Sequence, residues 1–200
     1  MKHSKPNFLF VLLVVIAVVY SCKKKEEDEG TKPPLCAVVY KDIVPDVILK
    51  CPAADSIVTD SSAFYCFDFN SDSNNEISIY AYSHYGNSGV DKQITISSAD
   101  AVSMVNHSYN PTENSCSGFL PSNTTIDNSL KWKTYSLLYN GPLNLCTSSE
   151  TDKYLPVKLV LNNETHYGWI HIDKTNASLT IKGYAYNECA DKSILAGQKN

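Results

Sequence analysis

Residues 164–185 carry the clearest alternation of hydrophobic and polar positions in the chain. His166, Gly168, Ile170 and Ile172 fall on one face of an extended segment, and Tyr167, Trp169, His171 and Asp173 fall on the other. After the polar Lys174-Thr175-Asn176, Leu179 and Ile181 alternate with Thr180 and Lys182. Successive strand side chains point to opposite faces, so this period of two, rich in aromatic and β-branched residues and broken by a polar turn, predicts an antiparallel hairpin.

The same period recurs upstream. Phe64, Cys66 and Asp68 alternate with Tyr65, Phe67 and Phe69, a polar turn covers 70–75, and Ile77, Ile79 and Ala81 then share a face. Residues 92–97 alternate as well. Residues 36–40 and 47–49 read as two short strands around a turn at Pro45-Asp46. Residues 154–161 read as a core strand in which Pro156 predicts an edge or a bulge, because proline has no N–H for the ladder. Residues 101–105 fit a strand or a helical turn, 106–130 read as a long polar loop pinned by Cys116, 131–138 fit either regular structure, and 194–197 form the last element. No long segment keeps a period of 3.6. Short strands and frequent turns predict an all-β protein, an antiparallel β-sandwich of jelly-roll-like character.

The first residues do not belong to that pattern. Lys2 and Lys5 precede an unbroken apolar run of 13 residues, 8–20. This is the length of a signal-peptide core and short for a spanning helix. It ends in Val19-Tyr20-Ser21-Cys22, which resembles the lipobox of bacterial lipoproteins. The resemblance implies removal of 1–21 as a lipoprotein signal peptide and acylation of Cys22, with the bilayer as partner; the alternative is an ordinary secretory signal. Acyl chains bind membranes by about 0.8 kcal/mol per buried methylene. Three lysines and four acids, Lys23 to Glu29, follow at once, and 22–35 reads as a solvated tether. Basic then acidic residues after the cysteine resemble the surface-export signal of Bacteroidota-type lipoproteins. The expected location is therefore the outer membrane, lipid-anchored, at the cell surface or facing the periplasm. Residues 36–200 are expected to form a single domain.

Charge and cysteine content narrow the function. Without 1–21 the chain keeps 15 lysines against 21 acidic residues, a formal charge of −6, and it contains no arginine. This argues against nucleic acid, which is read largely through arginine. Six cysteines remain: Cys36, Cys51, Cys66, Cys116, Cys146 and Cys189. An even number in an exported chain predicts three disulfides, and six cysteines leave the pairing open among fifteen connectivities. No Cys-x-x-Cys occurs to support zinc or thiol-redox chemistry.

Several segments in order resemble one family. They are Tyr40-Lys-Asp42-Ile-Val-Pro45-Asp46, Tyr65-Cys-Phe-Asp68-Phe-Asn70-Ser-Asp72, His166-Tyr-Gly-Trp-Ile170, Tyr184-Ala-Tyr186 and Ile194-Leu-Ala-Gly197. The set is similar to uncharacterised bacterial secreted β-sandwich exoproteins. The resemblance implies a fold and a location more than an activity. The six cysteines of the folded part, and Ser73 where a loop glycine would stand, depart from that pattern.

One stretch has metal-ligand spacing. Asp68, Asn70, Asp72, Asn74 and Glu76 offer oxygens at alternate positions of a turn between two strands. Calcium takes six to eight oxygens at about 2.3–2.6 Å, and such a loop can wrap them around one point. Asn74 would contribute its carbonyl. The alternative is a polar hairpin turn, for which Asn, Asp and Ser are the usual residues. His166 and His171 are five apart and lie on opposite strand faces, so they do not chelate one ion together. No nucleophile elbow, HExxH, P-loop or dinucleotide fingerprint is present. Glu164, Asp173 and Glu188 are the carboxylates that a glycoside hydrolase would need to bring together. With no catalytic motif, the expectation is a non-enzymatic binding or structural module of unassigned ligand, for which a glycan stacked on Tyr80, Tyr82, Tyr85, Trp132 or Trp169 is the candidate; the alternative for these aromatics is core and edge packing, above all for Trp169. The alternative is a small secreted hydrolase acting on polysaccharide.

Overall fold

A computed structural model of the protein describes residues 36–55, 57, 60–86, 89–100, 102–106 and 116–200. The leader, Cys22 and the tether lie outside these residues, and 36–200 forms one compact unit. Twelve strands follow in chain order: β1 Val38–Lys50, β2 Asp60–Phe67, β3 Ile77–Gly86, β4 Gly89–Ser98, β5 Met104–Asn106, β6 Thr125–Ile126, β7 Trp132–Lys133, β8 Tyr135–Asn140, β9 Glu150–Leu161, β10 Glu164–Thr175, β11 Ser178–Asn187 and β12 Ile194–Leu195. Among the described residues no helix is long and apolar enough to cross a membrane.

The protein is an all-β antiparallel sandwich. A six-stranded sheet in the order β1-β11-β10-β9-β5-β7 faces a four-stranded sheet in the order β2-β3-β4-β8. The core between them takes alternate residues from each: Ile77, Ile79, Ala81, Ile94 and Ile96 from the smaller sheet, Leu155, Val157, Leu159, Ile170, Ile172 and Ile181 from the larger. Burial of such side chains, about 1.5–3 kcal/mol each, is the main force holding the sheets together.

The larger sheet is covered on its other face too. Strands β6 and β12 form a small ladder whose Ile126, Ile194 and Ala196 pack on Tyr154, Tyr167, Trp169 and Ala185. This second core explains why both alternating sets of β10 are apolar. Gly168 lies between them, where an added Cβ would stand 2.4 Å from the Ala185 carbonyl oxygen.

Two local expectations are corrected and one open segment is resolved. The two short strands around Pro45 are one strand, β1, with a register shift between Asp42 and Val47; an edge strand tolerates a residue that cannot donate to the ladder. Pro156 is at neither an edge nor a bulge: β9 lies between β10 and β5, and Pro156 is in regular register with Trp169. Its nitrogen faces a gap on the β5 side, after Tyr154 bonds Leu120 and before Val157 meets Val105. Residues 131–138, open to either reading, contain β7 and the start of β8.

Two disulfides close, not three. Cys36 pairs with Cys189 and Cys116 with Cys146. Cys51 and Cys66 are free thiols. Cys51 belongs to the central core, whereas Cys66 points from the outer face of β2 and accepts a hydrogen bond from the Ser78 hydroxyl at 3.3 Å. They are on opposite sides of the four-stranded sheet and cannot bridge. Burial pushes the Cys51 thiol pKa up, which keeps it protonated and unreactive. Lys174, almost fully buried, donates to the Cys146 and Ser148 carbonyls and so fixes the second bridge to β10.

Candidate functional site

The outer face of the four-stranded sheet is open and aromatic. On β3 the outward positions are Tyr80, Tyr82 and His84, and Phe64 of β2 lies directly across from Tyr80. Phe64, Tyr80 and Tyr82 are 65%, 42% and 37% exposed. The Phe64 and Tyr80 rings stand 6.0 Å apart at 34°, and Tyr82 and His84 stack at 6.5 Å with planes within 8°. Alternation dictates this geometry, because the inward residues Ile79, Ala81 and Ser83 turn their neighbours outward.

The platform is held from one side by a carboxylate. The Tyr82 hydroxyl donates to Asp60 Oδ1 at 2.5 Å, and His84 Nδ1 lies 2.8 Å from the same oxygen. The hydrogen bond from Tyr82, then that from His84, holds the Asp60 carboxyl below the usual carboxylate range. Beyond Tyr82 and His84 a cleft of about 300 Å³ opens, walled by Asp91, Gln93, Asn140 and Leu143. The Cys116–Cys146 bridge covers Leu137 on the outer side of the edge strand β8 and so borders the open part of the face. A fixed aromatic surface beside a cleft with amides and a carboxylate suits a ligand with one apolar face and many hydroxyls.

Of the other aromatics expected to face a ligand, Tyr85 is exposed but belongs to the alternate, inward set of β3. Trp132 is half-buried against Tyr167, with ring centres 6.0 Å apart, and Trp169 is fully buried and offers no ring to solvent. His84 sits on β3 and not in a loop. His166 and His171 do face opposite sides of β10: His166 bonds the Asn187 carbonyl, and His171 bonds Asp152 and stacks on Tyr154.

The loop from Asp68 to Glu76 brings three carboxylates together, with Asp68, Asp72 and Glu76 each placing an oxygen within 4.8 Å of the others. Those oxygens already close the turn. Asp68 accepts from the amides of Asp72 and Ser73, Asp72 accepts from the amide of Asn74 and the Asn70 side chain, and Glu76 accepts from the Phe69 amide at 2.8 Å. Ser71 and Ser73 adopt positive φ, 62° and 73°, at the tight corners. Glu76 is 4% exposed; burial first, then the neighbouring Asp68 and Asp72, pushes its carboxyl pKa up. Asp68, Asn70, Asp72, Asn74 and Glu76 thus form a self-capped turn in which three carboxylates also stand close enough together to hold a cation.

Of the three remaining acids, Glu164 and Glu188 line one cleft, while Asp173 pairs with Lys182 at 2.7 Å and caps the Asp152 amide. Comparison with protein families, curated proteins and solved structures returns no match.

Proposed function

We propose that this chain is a lipid-anchored envelope protein whose β-sandwich binds glycan on the outer face of its four-stranded sheet. The observation that carries the reading is the exposed row of Phe64, Tyr80 and Tyr82 beside a polar cleft. A pyranose ring presents C–H bonds on one face and hydroxyls around its rim; the first stack on aromatic rings and the second bond amides and carboxylates. Asp60 fixes the rings of Tyr82 and His84 before any ligand arrives, which lowers the ordering cost of binding. A contiguous exposed apolar surface on an otherwise regular sandwich is itself a mark of recognition. Acyl chains on Cys22, followed by the charged tether, would keep the protein at the membrane.

Affinity electrophoresis of the full chain through gels containing individual cell-wall and plant polysaccharides tests the reading. Retardation by at least one polysaccharide is expected, and Tyr80→Ala/Tyr82→Ala should abolish it while leaving the melting temperature nearly unchanged, since both side chains are exposed. Retardation that persists in the double variant would place binding elsewhere.

A further inference from the structure

The second cleft has a chemistry of its own. It measures about 320 Å³ and lies where β10 and β11 meet the Asp68–Glu76 loop, with Asn70 at one side and Glu164, His166, Tyr186 and Glu188 on the sheet side. Glu164 and His166 are two apart on β10 and so share a face. The β10–β11 ladder ends at Gly168 opposite Tyr186, and beyond that pair His166 on β10 and Glu188 just after β11 both line the cleft. The backbone here is rigid: the Glu188 amide bonds the Ala37 carbonyl at 2.9 Å, and the next residue, Cys189, is bridged to Cys36.

His166 is only 6% exposed. Its Nδ1 lies 2.9 Å from the Asn187 carbonyl oxygen, and a carbonyl only accepts, so Nδ1 carries the hydrogen. The ring packs edge-on against Tyr186, with centres 6.0 Å apart at 82°. Nε2 is then the lone-pair nitrogen of the neutral ring. It has no hydrogen-bond partner among the described residues, and the ring that carries it lines the cleft. Glu164 and Glu188 likewise have no ion-pair partner among the described residues, and no lysine lines the cleft.

We propose that His166, Glu164 and Glu188 form a binding site for a divalent transition-metal ion of zinc-like preference. Zinc combines imidazole nitrogen with carboxylate oxygen, and a ligating histidine usually has its other N–H held by a carbonyl or carboxylate, as His166 has. Calcium and magnesium take oxygen and would not use the imidazole. Among the described residues only Asp68, Asp72 and Glu76 already have ligand atoms within 4.8 Å of one another, so the site at the mouth is not closed. Glu164 and Glu188 are exposed and swing about three side-chain torsions, whereas His166 is fixed; the histidine anchors the ion and the carboxylates close on it. Three protein ligands leave a coordination position for water.

Titration of the full chain in detergent with cobalt(II) and zinc chloride, followed by calorimetry and visible absorption, tests this. One equivalent is expected, with a cobalt d–d spectrum free of thiolate charge-transfer bands. Affinity should fall at least tenfold in His166→Gln and in Glu164→Gln/Glu188→Gln, and stay unchanged in Asp68→Asn/Asp72→Asn. The glutamate pair is exposed, so its variant folds even if His166→Gln does not. Absence of binding, thiolate bands from Cys51 or Cys66, or full affinity in the glutamate variant would each overturn the site.

Discussion

Glu76 separates the two readings of the loop at the level of one carboxylate. Its folded pKa is raised by burial and by Asp68 and Asp72, so the proton binds the folded state more tightly than the unfolded one. The stability this contributes is complete at low pH and is lost as pH rises through the raised folded pKa. Glu76→Gln removes the charge and retains an oxygen for the Phe69 amide. We expect it to melt higher than the parent at pH 7, with the two curves converging as pH falls through the carboxylate range. Stabilisation of the parent by calcium that vanishes in Glu76→Gln would assign the loop to an ion instead. The five oxygen-bearing positions were legible in the sequence, since Asp, Asn and Ser at alternate places are turn residues and calcium residues alike. Their amide partners were not, because those depend on the positive φ of Ser71 and Ser73. The thiols behave similarly. Six cysteines predicted three bridges, but a strand's face and not its composition decides which sulfurs meet. Alkylation of the denatured, unreduced chain should therefore label Cys51 and Cys66 and leave Cys36, Cys116, Cys146 and Cys189 unmodified. Protection of Cys51 and Cys66 would show a third bridge.

Among the elements, the β10–β11 hairpin does most to organise the fold. Its alternation was readable, and so was the sandwich that follows from a chain of such segments. Its exact pairing was not. Ile172 faces Ile181 but His171 faces Gly183, so an irregularity at Lys182 advances the register by one residue. A one-residue change exchanges faces. Burial of both faces of β10 also leaves no room at Gly168. Gly168→Ala should cost about 1–3 kcal/mol by overpacking, measured by urea denaturation; an unchanged midpoint would mean that β10 and β11 can separate freely at this point. Burial of both faces also decides between the two readings of Trp169, in favour of core packing. The β6–β12 ladder that covers it comes from two-residue strands inside polar sequence, too short to show a period.

We expect the whole molecule to be a sandwich with an aromatic face carried on an N-terminal lipid anchor. Cys22→Ala should move the protein from the membrane fraction to the soluble fraction or leave it held by an uncleaved leader, and mass spectrometry of the N-terminal peptide of the parent should find acyl chains on Cys22. An unmodified Cys22 would leave only the secretory reading. The disulfide from Cys36 to Cys189 ties the chain just after the tether to the segment following β11, so the fold is secured where it leaves the tether. Amide chemical-shift mapping of the full chain with a retained oligosaccharide reads whether the open face of the four-stranded sheet binds glycan. We expect shifts confined to residues around Phe64, Tyr80, Tyr82, His84 and Gln93. Shifts centred on β10 and the mouth near Glu188, with that face unmoved, would contradict it.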